Sequence, residues 1–238
     1  MTAKQILVNL VIKNNGNWES TYEDITSKNY PDDAPITCNV ISILDDEYPS
    51  SLKQGHKPPF ALFYEGNTHL LQARNLVGLT STKLTSAQVN KYANALDDTN
   101  VYVISASLEN MAMCLLEQGK QVIVVAPNGL DMVNLPLKKA IEARNGLLVS
   151  EYPLGVEKSP EIALFTTRLI SGLSHKVVVL LAKEGQNQPN LVISNALSNG
   201  KDVYVAPTDI DSGYYNNNYI LEGAIPFIRS DQLQPETY

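Results

Sequence analysis

Residues 101–127 read VYVISASLENMAMCLLEQGKQVIVVAP, and this stretch decides the fold. Two apolar runs rich in β-branched residues, VYVISA and QVIVVAP, flank a segment with helical spacing that ends at Gly119. Both runs are apolar on both faces, as expected of parallel strands that helices cover on either side of a sheet. The stretch therefore predicts a strand, a crossover helix and a second, parallel strand.

The same alternation continues along the chain from about residue 72. Four more strand-like runs are NLVGLT, GLLVSE, KVVVLLA and DVYVAP, and a helical segment separates each run from the next. Six such units in series predict an α/β fold with a doubly wound, mostly parallel, Rossmann-like sheet of at least six strands. In such a fold the crossovers are right-handed and ligands bind in a crevice at the carboxyl ends of the strands.

The chain is expected to divide near residue 40. Residues 1–40 contain a predicted helix over Ala3–Lys13, the turn NNGN and a polar stretch that ends in YPDDAP, which together indicate a small helical appendage. Residues 41–230 are assigned to one extended Rossmann-like domain. Within it, residues 41–71 should pack against the sheet, because PPF and YEGN are turn residues inside a continuous apolar pattern.

The composition is that of a globular protein, with 44% hydrophobic and 18% charged residues. No apolar run approaches the roughly 20 residues that span a bilayer, and no secretion signal is evident, so a cytoplasmic location without membrane contact is expected. The two cysteines, Cys38 and Cys114, match no metal-ligand spacing. The formal net charge of −7 weighs against polynucleotide binding, so any nucleic-acid site must be local.

The first turn of the predicted sheet carries an anion-binding pattern. The usual dinucleotide fingerprint GxGxxG is absent, but VGLTSTKLTS combines Gly78 with the hydroxyls of Thr80, Ser81 and Thr82 and the cation Lys83. These groups could bind a phosphate at a helix N-terminus. The alternative is an ordinary capped start of a helix.

Other candidate residues are explained by structure alone. The three histidines stand singly, Ser105 and Ser107 are typical of helix caps, and Asp131 is typical of a turn. P-loop, GxSxG and HExxH motifs are absent. These residues predict no catalytic group, no metal site and no cofactor, so the protein is not expected to be an enzyme.

Five phrases, in order, resemble the DNA-processing protein A family, called DprA or Smf. YPSSLKQGHKPPFALFYEGN at 48–67 is similar to the family's YPxxLxxIxDPPxxLxxxGN. EQGKQVIVVAPNGLD at 117–131 and SEYPLG at 150–155 follow its GGxTIAVLGxGLD and SEYPxG. RLISGLS at 168–174 matches the end of FPxRNRIISGLS, and residues 205–224 take the place of VPG…GxNxLIxxGA.

The resemblance implies an extended Rossmann fold that binds single-stranded DNA, protects it or loads a RecA-type recombinase onto it during natural transformation, and forms a homodimer without catalysis. It places Arg168 at the second arginine of RNR, which helps to hold a phosphate. The expected dimer contact is the run from Tyr214 to Ile228. Without the family, Arg168 is explained as a surface residue that reaches solvent or pairs with Glu161.

Departures from the family pattern keep two functions open. The arginine of the first turn is missing, Thr166 and Thr167 replace the first arginine and the asparagine of RNR, and QNQPNLVISNA replaces SGSLITA. In one hypothesis, a remodelled groove binds single-stranded DNA through Arg168, Lys83 and either Lys176 or Lys183, with Phe165 stacking on a base. In the other, the crevice binds a nucleotide or a nucleotide-derived signal.

Overall fold

The predicted parallel strands form the centre of a single mixed sheet. The computed structural model describes residues 1–32 and 34–235, and nine strands lie within those residues. The strands are β1 (Val40–Ser42), β2 (Ala61–Gly66), β3 (Leu76–Thr80), β4 (Val101–Ser105), β5 (Gln121–Val125), β6 (Leu147–Ser150), β7 (Lys176–Val179), β8 (Asp202–Val205) and β9 (Ile225–Pro226). The α/β, doubly wound, mostly parallel architecture predicted from the sequence is confirmed.

Ten α-helices lie in the described residues, and the longer ones follow the helical segments read from the sequence. They are α1 (Ala3–Lys13), α2 (Trp18–Thr26), α3 (Ser50–Lys53), α4 (Ser86–Ala95), α5 (Glu109–Glu117), α6 (Leu135–Ala143), α7 (Pro160–Phe165), α8 (Thr167–Leu173), α9 (Asn187–Ser198) and α10 (Asn216–Leu221).

The strand order creates a switch point beside β3. The order across the sheet is β1-β2-β6-β5-β4-β3-β7-β8-β9, so the chain winds from β3 towards β6 and then returns to the other side of β3 with β7. In this spatial order, each of the seven strands from β6 across to β9 is parallel to its neighbours in that group. Loops that leave β3 and β7 at their carboxyl ends therefore diverge and open a crevice.

Residues 40–66 extend the sheet at one edge. Strand β2 pairs antiparallel with β6, and β1 pairs antiparallel with β2. This segment was expected to pack against the domain, and it does so as two added strands. The sequence did not show them as strands, because β1 has three residues and neither strand belongs to a strand–helix–strand unit.

Two apolar layers cover the faces of the sheet. On one face the buried residues come from α1, α4, α5 and α6. On the other face they come from α3, α8 and α9. The central strands β3 and β4 are buried along their whole length, which explains their lack of polar alternation.

The N-terminal helices belong to the first of these layers. Helix α1 has the predicted bounds and starts with a capping box between Thr2 and Gln5. Its Val8 and Val11 are buried in the core cluster of the sheet. The division of the chain at residue 40 into two units stays a prediction.

Helix α8 is the most enclosed element of the site region, and every residue from Thr167 to Leu173 is buried. Close packing explains its small residues: a Cβ on Gly172 would lie 2.7 Å from Leu52 Cδ1, and one on Gly78 of β3 would lie 2.7 Å from Ser174 Oγ. Gly78 is therefore a packing residue in mid-strand, and its part in a phosphate site stays a prediction. Within the described residues, no helix has the length and hydrophobicity needed to cross a membrane.

Candidate nucleic-acid interface

A cavity of about 600 Å³ lies at the switch point of the sheet. It is lined by the loops that follow β3, β4 and β7, at residues 81–84, 107–111 and 186–189, together with Val89. We call it the switch-point pocket. Its position is the one where open α/β sheets bind ligands.

The hydroxyl-rich turn after β3 supplies one wall of this pocket. Helix α4 is capped by Thr85, whose side chain accepts a hydrogen bond from the N–H of Gln88 in a capping box. The cap therefore uses none of Thr80, Ser81 or Thr82. Thr82 lines the pocket at 9% exposure, and its hydroxyl has no partner among the described residues.

Two helix N-termini lie at the pocket. Glu109 and Asn110 begin α5, and Asn187 and Gln188 begin α9, and no side chain caps either helix. Uncapped N–H groups and the positive end of a helix dipole both favour an anion. At α5 the negative charge of Glu109 makes the helix end less favourable for an anion. Oε1 of Glu109 accepts a hydrogen bond of 2.7 Å from Asn134. The α9 end is thus the more favourable anion site.

Two lysines supply positive charge. Lys83 lines the pocket, is exposed, and makes no ion pair, hydrogen bond or ring contact through its side chain within the described residues. Lys158 Nζ donates to Oγ of the lining residue Ser107 at 3.0 Å. The two ammonium groups therefore put positive charge at the pocket, and the carboxylate of Glu109 in the lining partly offsets it.

Arg168 lies outside the switch-point pocket, in a buried ion pair. Its Nη1 and Nη2 donate to Glu151 Oε1 and Oε2 at 2.6 and 2.5 Å, and the two side chains are 8% and 3% exposed. Nε donates to the carbonyl of Lys57 at 3.0 Å, and Nη1 donates also to the carbonyl of Phe165 at 3.1 Å. Four of the five guanidinium N–H groups are thus used inside the protein. The acidic partner is Glu151 and not the surface residue Glu161.

The loop at Lys57, Pro58 and Pro59 is fixed by three side chains from different elements. Arg168 donates to the first carbonyl, Trp18 Nε1 donates to the second at 2.9 Å, and Tyr48 Oη donates to the third at 2.8 Å. Burial raises the pKa of Tyr48 above its ordinary value, so its hydroxyl stays a donor. Arg168 therefore joins α8, the end of β6 and the loop before β2.

The DNA recombination-mediator protein A family model matches residues 39–236. The chain is 30% identical over 194 residues to DNA processing protein DprA of Streptococcus pneumoniae, covering 77% of this chain and 68% of that protein. It is 26% identical over 189 residues to the Bacillus subtilis DprA, covering 74% of this chain and 63% of that protein. The chain belongs to the DNA recombination-mediator protein A family.

Two solved structures of family proteins have the same fold. The S. pneumoniae DprA structure superposes with a TM-score of 0.75 at 25% identity and covers 92% of this chain and 81% of its own. A structure of DNA processing protein A from Helicobacter pylori, which addresses that protein's single-stranded DNA binding mode, gives a TM-score of 0.69 at 20% identity. It covers 82% of this chain and 94% of its own.

The six site residues predicted from the sequence do not gather in one place. Lys83 lines the switch-point pocket, and Thr80 ends the strand that leads into it. Phe165 lies against Arg168, whose guanidinium carbon is 3.6 Å from the ring centroid. Contact of these residues with DNA stays a prediction.

Lys176 lies at the amino ends of the parallel strands, whereas the pocket lies at their carboxyl ends. It is the first residue of the parallel strand β7, so it is at the amino end. Its Nζ donates to the carbonyls of Gln232 and Gln234 at 3.1 and 2.8 Å, which ties the C-terminal segment to the sheet. Lys176 and Lys83 therefore lie at opposite ends of the parallel strands, and contact of Lys176 with DNA stays a prediction.

Sequence reasoning missed Glu151, Lys158 and the amides at the start of α9. Glu151 stands in SEYPLG, one of the matched family phrases, and its pairing with RLISGLS needed the fold to be seen. Lys158 comes from a loop far along the chain from Ser107. Among the described residues, no group of three or more His, Cys, Asp or Glu side chains is placed to hold a metal ion.

Proposed function

We propose that this protein binds single-stranded DNA at the switch-point pocket and takes part in DNA processing as a non-catalytic binding protein. The observation that carries the proposal is the unpaired Lys83 beside the uncapped N-terminus of α9, inside the crevice of the sheet. A strand phosphate there would meet backbone N–H groups, a helix dipole and an ammonium group. The H. pylori relative, whose structure addresses single-stranded DNA binding, supports the choice of ligand.

In this proposal Arg168 acts as a positioning residue. Its ion pair with Glu151 and its bond to the Lys57 carbonyl hold α8 and the loop before β2 in place. The single guanidinium N–H without a bond inside the protein leaves little capacity for a phosphate. We therefore assign phosphate contact to Lys83 and Lys158 before Arg168.

Membership of a recombination-mediator family supports two further parts of the proposal. The protein protects the strand or loads a RecA-type recombinase onto it during natural transformation, and it works as a homodimer. Assembly of a purified RecA on single-stranded DNA, with and without this protein, tests the loading step. Unchanged assembly would contradict it.

Binding to an oligothymidine at increasing salt tests the DNA proposal. Wild-type affinity should fall as salt rises, because each phosphate contact releases counterions. Lys83→Ala should weaken binding and reduce the slope of log affinity against log salt by about 0.7, the contribution of one contact to a single strand.

Lys139→Ala is the matched control. Lys139 is an exposed lysine on α6 that lines a separate cavity with Asn39 and Gly66. Its removal should leave the slope almost unchanged. Equal slopes for the two variants would remove Lys83 from the site.

A mononucleotide is the alternative ligand. The volume of about 600 Å³ is in the range of small-molecule pockets, and one lysine in the lining suffices for one phosphate group. Saturable binding of a mononucleotide without binding of any oligonucleotide, measured by calorimetry at low salt, would favour this alternative over the DNA proposal.

A further inference from the structure

The switch-point pocket contains side-chain amides that the fold does not use. Its lining includes Asn110, Gln186, Asn187 and Gln188, and none of these side chains makes a hydrogen bond within the described residues. Elsewhere in the chain, amides near the pocket are engaged: Asn216 bonds to three backbone groups at the ends of β7 and β8. Four amides without a partner among the described residues therefore lie together where a ligand is expected.

Apolar side chains form the remaining lining. Leu84, Val89, Leu108, Met111 and Pro189 lie between the three polar loops. A flat ring with hydrogen-bonding groups on its edge fits such a surface, since its faces contact apolar atoms and its edge meets amides. A nucleobase has this shape and chemistry.

We propose that the switch-point pocket reads one base of the bound strand and prefers adenine to thymine. This inference rests on the proposed function and specifies the base that the pocket recognises. A side-chain amide pairs with adenine through two hydrogen bonds, one to the amino group N6 and one to N7. The carboxylate of Glu109, at the same pocket, accepts hydrogen bonds from an amino group and repels the O4 acceptor of thymine.

The amides at the start of α9 are the strongest candidates for this contact. Asn187 and Gln188 are the first two residues of the helix, so a base beside them has its phosphate near the uncapped N–H groups and Lys83. Base and phosphate recognition then lie within one cavity.

Two single strands of equal length test the preference. One alternates adenine with cytosine and the other alternates thymine with cytosine, so neither pairs with itself and they differ only in the adenine. Wild type should bind the adenine strand at least about fivefold more tightly, the lower limit for one bidentate amide–base pair. The double variant Asn187→Ala/Gln188→Ala should lose most of this preference, and only the contribution of Glu109 should remain. Alanine suits the first turn of a helix, and circular dichroism checks that α9 is retained.

Gln54→Ala is the control, because Gln54 is an exposed glutamine at the end of α3, away from the pocket lining. It should keep the wild-type preference. Equal binding of both strands by wild type would overturn the base preference and leave the DNA proposal standing. A preference that survives undiminished in the double variant would overturn the assignment to these amides. Binding of neither strand would overturn the proposed function, and this inference with it.

Discussion

Arg168 shows how a charged residue is accommodated in a fully buried helix. Removing a guanidinium and a carboxylate from water is costly, and a bidentate pair with further hydrogen bonds offsets that cost only when both partners are present. Arg168 and Glu151 meet this condition through two parallel bonds and the carbonyls of Lys57 and Phe165. We infer that the arginine is required for the arrangement of three segments.

Loss of either partner should therefore destabilise the protein strongly. Arg168→Leu or Glu151→Leu alone should lower the free energy of unfolding by about 3–5 kcal/mol, because each leaves an uncompensated buried charge. The double variant should lose less than the sum of the two, since no charge is left. Urea unfolding of the four proteins gives the coupling energy.

The same variants separate positioning from phosphate contact. Under conditions where Arg168→Leu is folded, its oligothymidine binding should keep the wild-type salt slope, whereas Lys83→Ala should not. A slope reduced by about 0.7 in Arg168→Leu would show that this arginine does contact a phosphate.

At the residue scale, the sequence predicted which residue types lie at the site better than it predicted which residues they contact. It placed Lys83 beside a hydroxyl-rich turn, and the structure puts that residue in the crevice. It could not find the partner of Arg168, because Glu151 is 17 positions away in the chain and the two side chains meet only in the folded protein. Local spacing carries no information about such contacts.

A second, half-buried cation lies at the carboxyl end of helix α8. Lys201 Nζ donates to the carbonyls of Ser171 and Gly172 at 2.5 and 3.0 Å, which are among the last carbonyls of the helix. Positive charge is favourable there. Burial nevertheless lowers the pKa of Lys201 from 10.5 to about 8.

Stability should consequently depend on pH in the alkaline range. Between about pH 8 and 10.5 the unfolded chain holds the Lys201 proton and the folded chain releases it, so the contribution of Lys201 to the free energy of unfolding should rise with pH. Lys201→Met should lack this rise, and Lys139→Met, which alters an exposed lysine, should retain it. Urea unfolding at several pH values measures the difference. Parallel curves for wild type and Lys201→Met would contradict the lowered pKa.

At the element scale, the break between α7 and α8 escaped prediction. The pattern over residues 160–174 indicated one helix, but the structure divides it at Thr166. The hydroxyls of Thr166 and Thr167 donate to the carbonyls of Ile162 and Leu164, and such bonds bend helices. The apolar spacing continues across the break, so periodicity alone does not reveal it.

At the scale of the whole molecule, the series of strand–helix units determined the central sheet. Strand–helix units in series give parallel strands, and the strand order reverses direction once, beside β3. Few topologies meet these conditions, and the observed order is one of them. The edge strands β1 and β2 were not predictable in the same way, because an antiparallel pair obeys no crossover rule. Strand β2 lies beside β6 through the pairing of residues 63–66 with residues 147–150, and β1 pairs with β2.

The surface of the C-terminal half bears on the proposed homodimer. Leu221 and Ile228 are 88% and 67% exposed, and both lie in the segment predicted to form the contact. Tyr214, at the start of that segment, is held internally by a hydrogen bond with Gln88. The contact should therefore centre on the two aliphatic residues, since the cores of protein interfaces are rich in apolar side chains that are exposed in the free protein.

Leu221→Glu and Ile228→Glu should each convert a dimer into monomers. In a two-fold dimer every substitution occurs twice, so losing burial of a leucine or isoleucine costs about 3–6 kcal/mol of association energy before charge repulsion is added. That weakens the dimer by a factor of about 100 or more. Light scattering at micromolar concentrations measures the mass of each protein.

Leu44→Glu is the control, because Leu44 is 55% exposed and follows β1 at the opposite edge of the sheet. A wild-type protein that stays monomeric at high micromolar concentration would end the dimer proposal, and a dimer that survives both substitutions would place its interface elsewhere.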